Sequence, residues 1–148
     1  MKKPLIQTLY IPAIINTASC LELHGKLAIS ENKMIYLDID DEYVHQLFPL
    51  LKNTSAKMPD YFGEKSAGAH ITVIYPEENI KIDEKDLGVM HHFTFRELVT
   101  AEIGAKTYYV VLVDAPSLLQ LRRDYQLTDH LNFKGYAIGF HITIGVKN

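Results

Sequence analysis

The chain has 148 residues, 47% of them hydrophobic and 22% charged, the proportions of one globular domain with a sizeable core. A formal net charge of −3 argues against a protein that grips long duplex nucleic acid by neutralising many phosphates, and leaves open a small or terminal phosphate ligand. A single cysteine, Cys20, rules out a disulfide framework and a multi-thiolate zinc site, and no apolar run approaches the ~20 residues of a membrane helix.

At the start, Met1-Lys2-Lys3, the apolar residues from Leu5 to Ile15 and Thr17-Ala18-Ser19-Cys20 have the outline of a bacterial lipoprotein leader. Gln7, Thr8 and Pro12 interrupt that stretch, and Leu5, Tyr10 and Ile11 read as the first strand of a sheet in a cytoplasmic chain. A strand over 34–40 pairs with 26–30 across the turn signal Glu31-Asn32. Val44, Phe48 and Leu51 then recur at helical spacing, which predicts an amphipathic helix over 41–52 kinked at Pro49. Residues 53–66 form a polar loop, 68–75 a strand ending at Pro76, and 83–87 a single helical turn. A hairpin follows, 93–102 against 107–114, turning at Gly104. Pro116 opens a second helix carrying Leu118, Leu119, Leu121 and Tyr125, and a strand over 139–146 ends the chain.

The order strand, helix, loop, strand thus occurs twice, over 34–75 and 107–146. The ends of the two units match: Gly68-Ala69-His70-Ile71-Thr72-Val73 against Gly139-Phe140-His141-Ile142-Thr143-Ile144, with both histidines in the same place 71 positions apart. Strand alternation puts His70 and Thr72 on one face and Ile71, Val73 and Tyr75 on the other, and likewise His141 and Thr143 against Ile142, Ile144 and Val146. The apolar rows suit coverage by the two helices. Gly68 and Gly139 fall on the polar face, where they leave room for a ligand beside each histidine.

Two His/Thr pairs facing one another suit in-line displacement at phosphorus. An imidazole, with its ordinary pKa of about 6.5, can be neutral on the side of the attacking oxygen and charged on the side of the leaving oxygen. The threonine hydroxyls can donate to the non-bridging oxygens. Such a pair predicts a bell-shaped pH profile with limbs within about two units of 6.5 and no need of a metal.

These two His-x-Thr motifs, each on a strand that ends a repeated unit, resemble the 2H phosphoesterase superfamily, which includes LigT-like RNA 2′,3′-cyclic phosphodiesterases and A-kinase-anchor-like and viral 2′,5′-phosphodiesterases. The resemblance covers about residues 34–146. It implies an α+β fold, two-lobed and pseudo-symmetric, with antiparallel sheets around a central cleft and helices on the outer faces. It also implies one domain over 1–148 and metal-independent hydrolysis of a small or terminal nucleotide phosphodiester. His70 and His141 would be the acid and base, Thr72 and Thr143 the phosphate-binding hydroxyls. Many members have proline before the motif histidine, where this chain has Ala69 and Phe140, and residues 1–33 read as an added strand and hairpin or a lid.

For base recognition the candidates are Tyr10, Tyr61, Phe62 and Tyr136, in the strand or loops that can border the cleft, whereas alternation turns Tyr75 and Phe140 away. Arg122, Arg123 and Lys134 are candidates for a second phosphate, although the two arginines sit where a helix carries its exposed charge. His91 and His92, being adjacent, point to opposite faces of a strand, and His24, His45 and His130 have no companions at ligand spacing. Asp38, Asp40, Asp41 and Glu42 read as a strand end followed by a helix start. The expected protein is a monomer without cofactor that binds neither long duplex nucleic acid nor membrane. Two rivals are a catalytically idle nucleotide-binding module of the same fold and a structural protein with core histidines.

Overall fold

A computed structural model describes residues 3–52, 54–63 and 66–148. Strands β1 (Leu5–Thr8), β6 (Thr94–Ile103), β7 (Lys106–Asp114) and β10 (His141–Lys147) form one antiparallel sheet in the order β1-β6-β7-β10. A second antiparallel sheet has the order β4-β3-β2-β5, from β2 (His24–Ile29), β3 (Ile35–Asp38), β4 (His70–Ile74) and β5 (Met90–His92). Strands β8 (Leu131–Phe133) and β9 (Tyr136–Ile138) make a separate hairpin, and three helices, α1 (Pro12–Ser19), α2 (Glu42–Leu47) and α3 (Pro116–Asp124), complete an α+β arrangement.

Local chemistry explains most of these elements. The β6–β7 hairpin turns through Gly104-Ala105, with positive φ at Gly104 alone, the pattern in which glycine holds the first central position. Pro49 ends α2 in a short 3₁₀ turn, Phe48–Leu50, because a proline ring removes a helical donor. Ile71, Val73, Ile142 and Ile144 are fully buried, so the apolar rows of β4 and β10 face the core as alternation requires. Helix α2 packs on β10 and α3 on β4.

Several expectations are corrected here. The first strand ends at Thr8, short of Tyr10 and Ile11, and residues 12–19 are a helix: Pro12 occupies its first turn, and Ile14 and Ala18, four apart, are both fully buried. The leader-like stretch is therefore built into the fold, with β1 hydrogen-bonded along β6; Met1 and Lys2 lie outside the described residues. The early residues are not an appended hairpin, since β2 is an interior strand between β3 and β5. The segment 131–138, read as a loop, is the β8–β9 hairpin, whose turn residues Lys134 and Gly135 both have positive φ. Most of the expected 53–66 loop is irregular chain held to β10 by the bridge Lys57–Val146; Asn53, Glu64 and Lys65 lie outside the described residues. No helix among the described residues is long and apolar enough to cross a membrane.

Candidate active site

The two motif strands bring His70, Thr72, His141 and Thr143 to the wall of one cavity of about 210 Å³. Each histidine is held the same way. Nδ1 of His70 is 2.6 Å from the Gly68 carbonyl, and Nδ1 of His141 is 2.8 Å from the Gly139 carbonyl. A carbonyl only accepts, so Nδ1 must carry the proton in both rings, and the nitrogen left for the cavity is Nε2. A neutral ring so held offers a lone pair at Nε2, and a charged one offers an N–H. Both acid and base functions are available at one atom of each ring.

Register breaks shape the rest of the wall. Along β3–β4, Tyr36 pairs with Thr72 but Ile35 with Ile74, so Val73 is an extra residue. Along β7–β10, Val110 pairs with Thr143 but Tyr109 with Gly145, so Ile144 is extra at the matching point of the other motif. A bulge of one residue reverses the alternation beyond it. Tyr75 and Val146, expected on the far face, consequently join the cavity wall, and the simple period-two reading is corrected at both. Gly145 carries a trace of this in the sequence, because a Cβ there would meet Leu51 Cδ1 at 2.8 Å.

The glycines before the histidines also have another explanation. Gly68 has φ +70, and a Cβ there would lie 2.5 Å from an Asp41 carboxylate oxygen, which itself accepts from the Ala69 N–H at 2.9 Å. Gly68 thus serves the chain's approach to Asp41 rather than ligand space. Gly139 has open space around it.

Tyr61 ties the two motif strands together. Its carbonyl accepts from the Gly68 N–H at 2.8 Å, its hydroxyl donates to the Thr143 carbonyl, and its ring stands edge-on to His70 with centroids 4.8 Å apart. Burial, with Asp41 adding to it, pushes its phenol well above the ordinary range. Thr72 is 5% exposed and its hydroxyl donates to Met34 Sδ at 3.6 Å, while Thr143 is half-buried.

The electrostatics of the two histidines differ. His141 is 8% exposed, and burial drives its imidazole down to about 4, with His70 pushing the same way and the Gly139 carbonyl opposing. Burial also lowers His70, against the Gly68 carbonyl and Asp38, which both favour its charged form. The cause lies in the register: the residue paired with His70 is Asp38, and the residue paired with His141 is Leu112.

Among the sequence candidates for base recognition, Tyr61 lines the cavity and Tyr10, Phe62 and Tyr136 do not. Tyr10 is 82% exposed, Phe62 packs on Tyr61 and His45, and Tyr136 stands on β9 opposite Phe133 without itself lining the cavity. The wall also holds Tyr75, which alternation had turned away, and Tyr108 and Phe133, which the sequence reading did not name. Arg122, read as surface charge, is fully buried, whereas Arg123 pairs with exposed Asp129 at 2.8 Å. Lys134 sits over the Phe133 ring, 5.1 Å from its centroid.

The family model described as the Swiss Army Knife 2H phosphoesterase domain matches residues 35–148. The chain belongs to the 2H phosphoesterases, a family whose members generally hydrolyse phosphodiesters. No curated protein and no solved structure matches the chain.

Proposed function

We propose that this chain is a metal-independent phosphodiesterase acting on a small or terminal nucleotide phosphodiester, a 2′,3′-cyclic phosphate or a 2′,5′-linked or cyclic oligonucleotide. The observation that carries it is the pair of imidazoles held alike on backbone carbonyls with both Nε2 atoms left to one cavity. On this reading 34–75 and 107–146 are pseudo-symmetric lobes of one domain over 1–148, supported by the matching bulges at Val73 and Ile144.

The unequal surroundings of the histidines support a division of roles. His141, paired with Leu112 and buried, is the neutral base; His70, beside Asp38, is the acid. His141 Nε2 takes a proton from the attacking water as its oxygen bonds to phosphorus. His70 Nε2–H protonates the ester oxygen as the bond from phosphorus to that oxygen breaks, leaving a phosphomonoester and a free hydroxyl. Thr72 and Thr143 donate to the non-bridging oxygens, Thr72 exchanging its weak bond to Met34 Sδ for one to phosphate.

The test is incubation of the pure protein with 2′,3′-cyclic AMP, 2′,5′-linked triadenylate and cyclic oligonucleotides, with and without EDTA, analysed by mass. Hydrolysis of at least one, unchanged by EDTA, is expected. Binding without turnover of any would replace the enzyme by an idle nucleotide-binding module, and activity abolished by EDTA and restored by a divalent ion would remove the histidines as a self-sufficient pair.

The pH profile follows from the same asymmetry. kcat/KM reports the free protein, so it should rise through an acidic limb near 4, set by His141, and fall through an alkaline limb below 6.5, set by His70. A pair judged from sequence alone is centred on 6.5; burial displaces it to acid. Asp38→Asn removes a carboxylate that favours the His70 imidazolium, so the alkaline limb should move to still lower pH while the acidic limb stays. The check is kcat/KM from pH 3.5 to 9, and an alkaline limb at or above 6.5, or unmoved in the variant, contradicts the assignment.

A further inference from the structure

The acidic run that follows β3 is divided by the fold. Asp38 pairs with His70, and Asp40 Oδ1 accepts from the Glu42 N–H at 3.0 Å, ordinary service at the start of α2. Asp41 stands at the capping position itself, yet its carboxylate makes no bond to its own helix. It reaches instead to the chain entering β4, where it accepts from the Ala69 N–H at 2.9 Å. The approach is so close that a Cβ on residue 68 would lie 2.5 Å from the carboxylate, which restricts that position to glycine. Helix stability does not account for an aspartate placed so.

The Ala69 N–H and the Gly68 carbonyl are the two ends of one peptide group. Its carbonyl end accepts from Nδ1–H of His70 at 2.6 Å. Carboxylate, peptide and imidazole therefore form one hydrogen-bonded line. Because the peptide C–N bond is partly double, a negative charge at the N–H end makes the oxygen at the other end a stronger acceptor, and a stronger acceptor on Nδ1–H favours the charged ring. Asp41 is exposed, so water screens its direct field at the ring, and the hydrogen bonds carry what the field does not.

The second unit supplies the comparison. Leu112 pairs with His141 as Asp38 does with His70, and the next residue donates alike in both: Ile39 N–H to the Ala69 carbonyl at 3.3 Å, Val113 N–H to the Phe140 carbonyl at 3.1 Å. Two residues further on, the place of Asp41 is taken by Ala115 at the start of α3. Alanine has no side-chain oxygen to offer the Phe140 N–H, and a Cβ on Gly139 would meet nothing within 4 Å, where one on Gly68 meets the carboxylate. The line is present at one histidine and absent at the other.

We infer that Asp41 is a positioning residue for His70, the two forming an aspartate–histidine dyad with one peptide group between its members: the carboxylate holds the Gly68 carbonyl on Nδ1, leaves Nε2 to the cavity and favours the charged ring. The inference rests on the phosphodiesterase reading only for the acid role of that ring. The other groups facing the ring are Asp38 on β3, the rings of Tyr36 and Tyr61, Asp60 in the cavity wall and His141. All of them stay in place in the variants that test it.

The test compares Asp41→Asn with Asp40→Asn. Asparagine at 41 keeps the shape and an oxygen for the Ala69 N–H but loses the charge; at 40 the same charge is lost one residue away from the line. NMR titration of the His70 and His141 ring resonances from pH 3.5 to 9 needs no substrate. Asp41→Asn should move the His70 midpoint to lower pH and leave that of His141, and Asp40→Asn should move neither. On a diester that the wild type hydrolyses, Asp41→Asn should lower kcat at neutral pH about three- to tenfold with KM within about twofold, and Asp40→Asn should be unchanged. A His70 midpoint that stays where it is in Asp41→Asn, or moves as far in Asp40→Asn, overturns the proposal, and so does an unchanged kcat in an active enzyme. A midpoint moved by Asp41→Asn alone, in a protein that hydrolyses none of the diesters, keeps the dyad and removes only the enzyme.

Discussion

His70→Ala and His141→Ala should each lower kcat/KM by about 10² to 10⁴ on the best substrate while the protein stays folded, and the double variant should be little worse than either single one. Non-additivity is expected because the two rings serve one proton-transfer sequence at one phosphorus, and once either proton is misplaced the other ring has little left to assist. The two variants should nevertheless be told apart by the leaving group. A nucleoside 3′-(p-nitrophenyl phosphate) releases a phenolate that needs no protonation, so on this ester His70→Ala should regain most of its activity and His141→Ala should not. The opposite pattern would exchange the roles of acid and base, and full activity of either variant on a natural diester would remove that histidine from the chemistry. His141→Ala also carries a stability signature. In the wild type the imidazole titrates near 4 when folded and near 6.5 when unfolded, so the unfolded chain binds more protons between these values, and stability present above 6.5 is lost as pH falls toward 4. The loss is about 3 kcal/mol, and urea titrations at pH 7 and pH 4 should show that much less acid sensitivity in the variant.

The motif face was legible in the sequence because it depends on a period of two over three residues, and His70, Thr72, His141 and Thr143 all fall where alternation puts them. Beyond the threonines the same rule fails. A bulge changes hydrogen-bond register without changing composition, so nothing around Tyr75 announces that it will return to the cleft, and only Gly145, crowded by Leu51, marks the matching break in β10. The β8–β9 hairpin was hidden for a related reason. Its turn is Lys134-Gly135, with the left-handed conformation at a lysine, where Asn-Gly or Asp-Gly would have been conspicuous. Missing the hairpin meant missing Phe133 in the cavity wall. Helix α1 was lost because its apolar residues are continuous with those of β1, so that Pro12 at its start and the Ile14/Ala18 pair do not stand out from a strand. Arg122 and Arg123 are adjacent on a helix and alike in composition, yet one is buried and the other exposed; only the tertiary partner decides which.

That partner sets up the largest expected stability effect. The Arg122 side chain is 0% exposed and Glu78 is 7% exposed, and the guanidinium uses its full donor set. Nε donates to the Thr128 carbonyl at 2.8 Å, Nη1 to the Val73 carbonyl and to Glu78 at 2.9 Å each, and Nη2 to Glu78 at 2.8 Å and to the His130 carbonyl at 2.7 Å. Glu78 in turn accepts from the Tyr75 N–H at 2.9 Å. One buried ion pair therefore fastens α3 to the bulge residue of β4, to the chain just beyond it and to the approach of the β8–β9 hairpin. Arg122→Met should cost about 3 to 5 kcal/mol, because it leaves a carboxylate buried without its cation and takes this donor from the Thr128 and Val73 carbonyls, while the His130 carbonyl keeps the Thr128 hydroxyl. In a chain of this length that is roughly a 10 to 15 °C fall in Tm. Most of the cost is the orphaned charge, so Arg122→Met combined with Glu78→Gln should be less damaging than the sum of the two single variants, with a coupling of about 1 to 3 kcal/mol. Additive losses in urea denaturation would mean that the two residues act separately. The pair also has a reach into the site, since the Val73 carbonyl it holds lies between Thr72 and Tyr75. Arg122→Lys keeps the charge but not the planar fork, so assayed well below its Tm it should still show a reduced kcat, because the chain directly after Thr72 is no longer held by the Nη1 bond to the Val73 carbonyl.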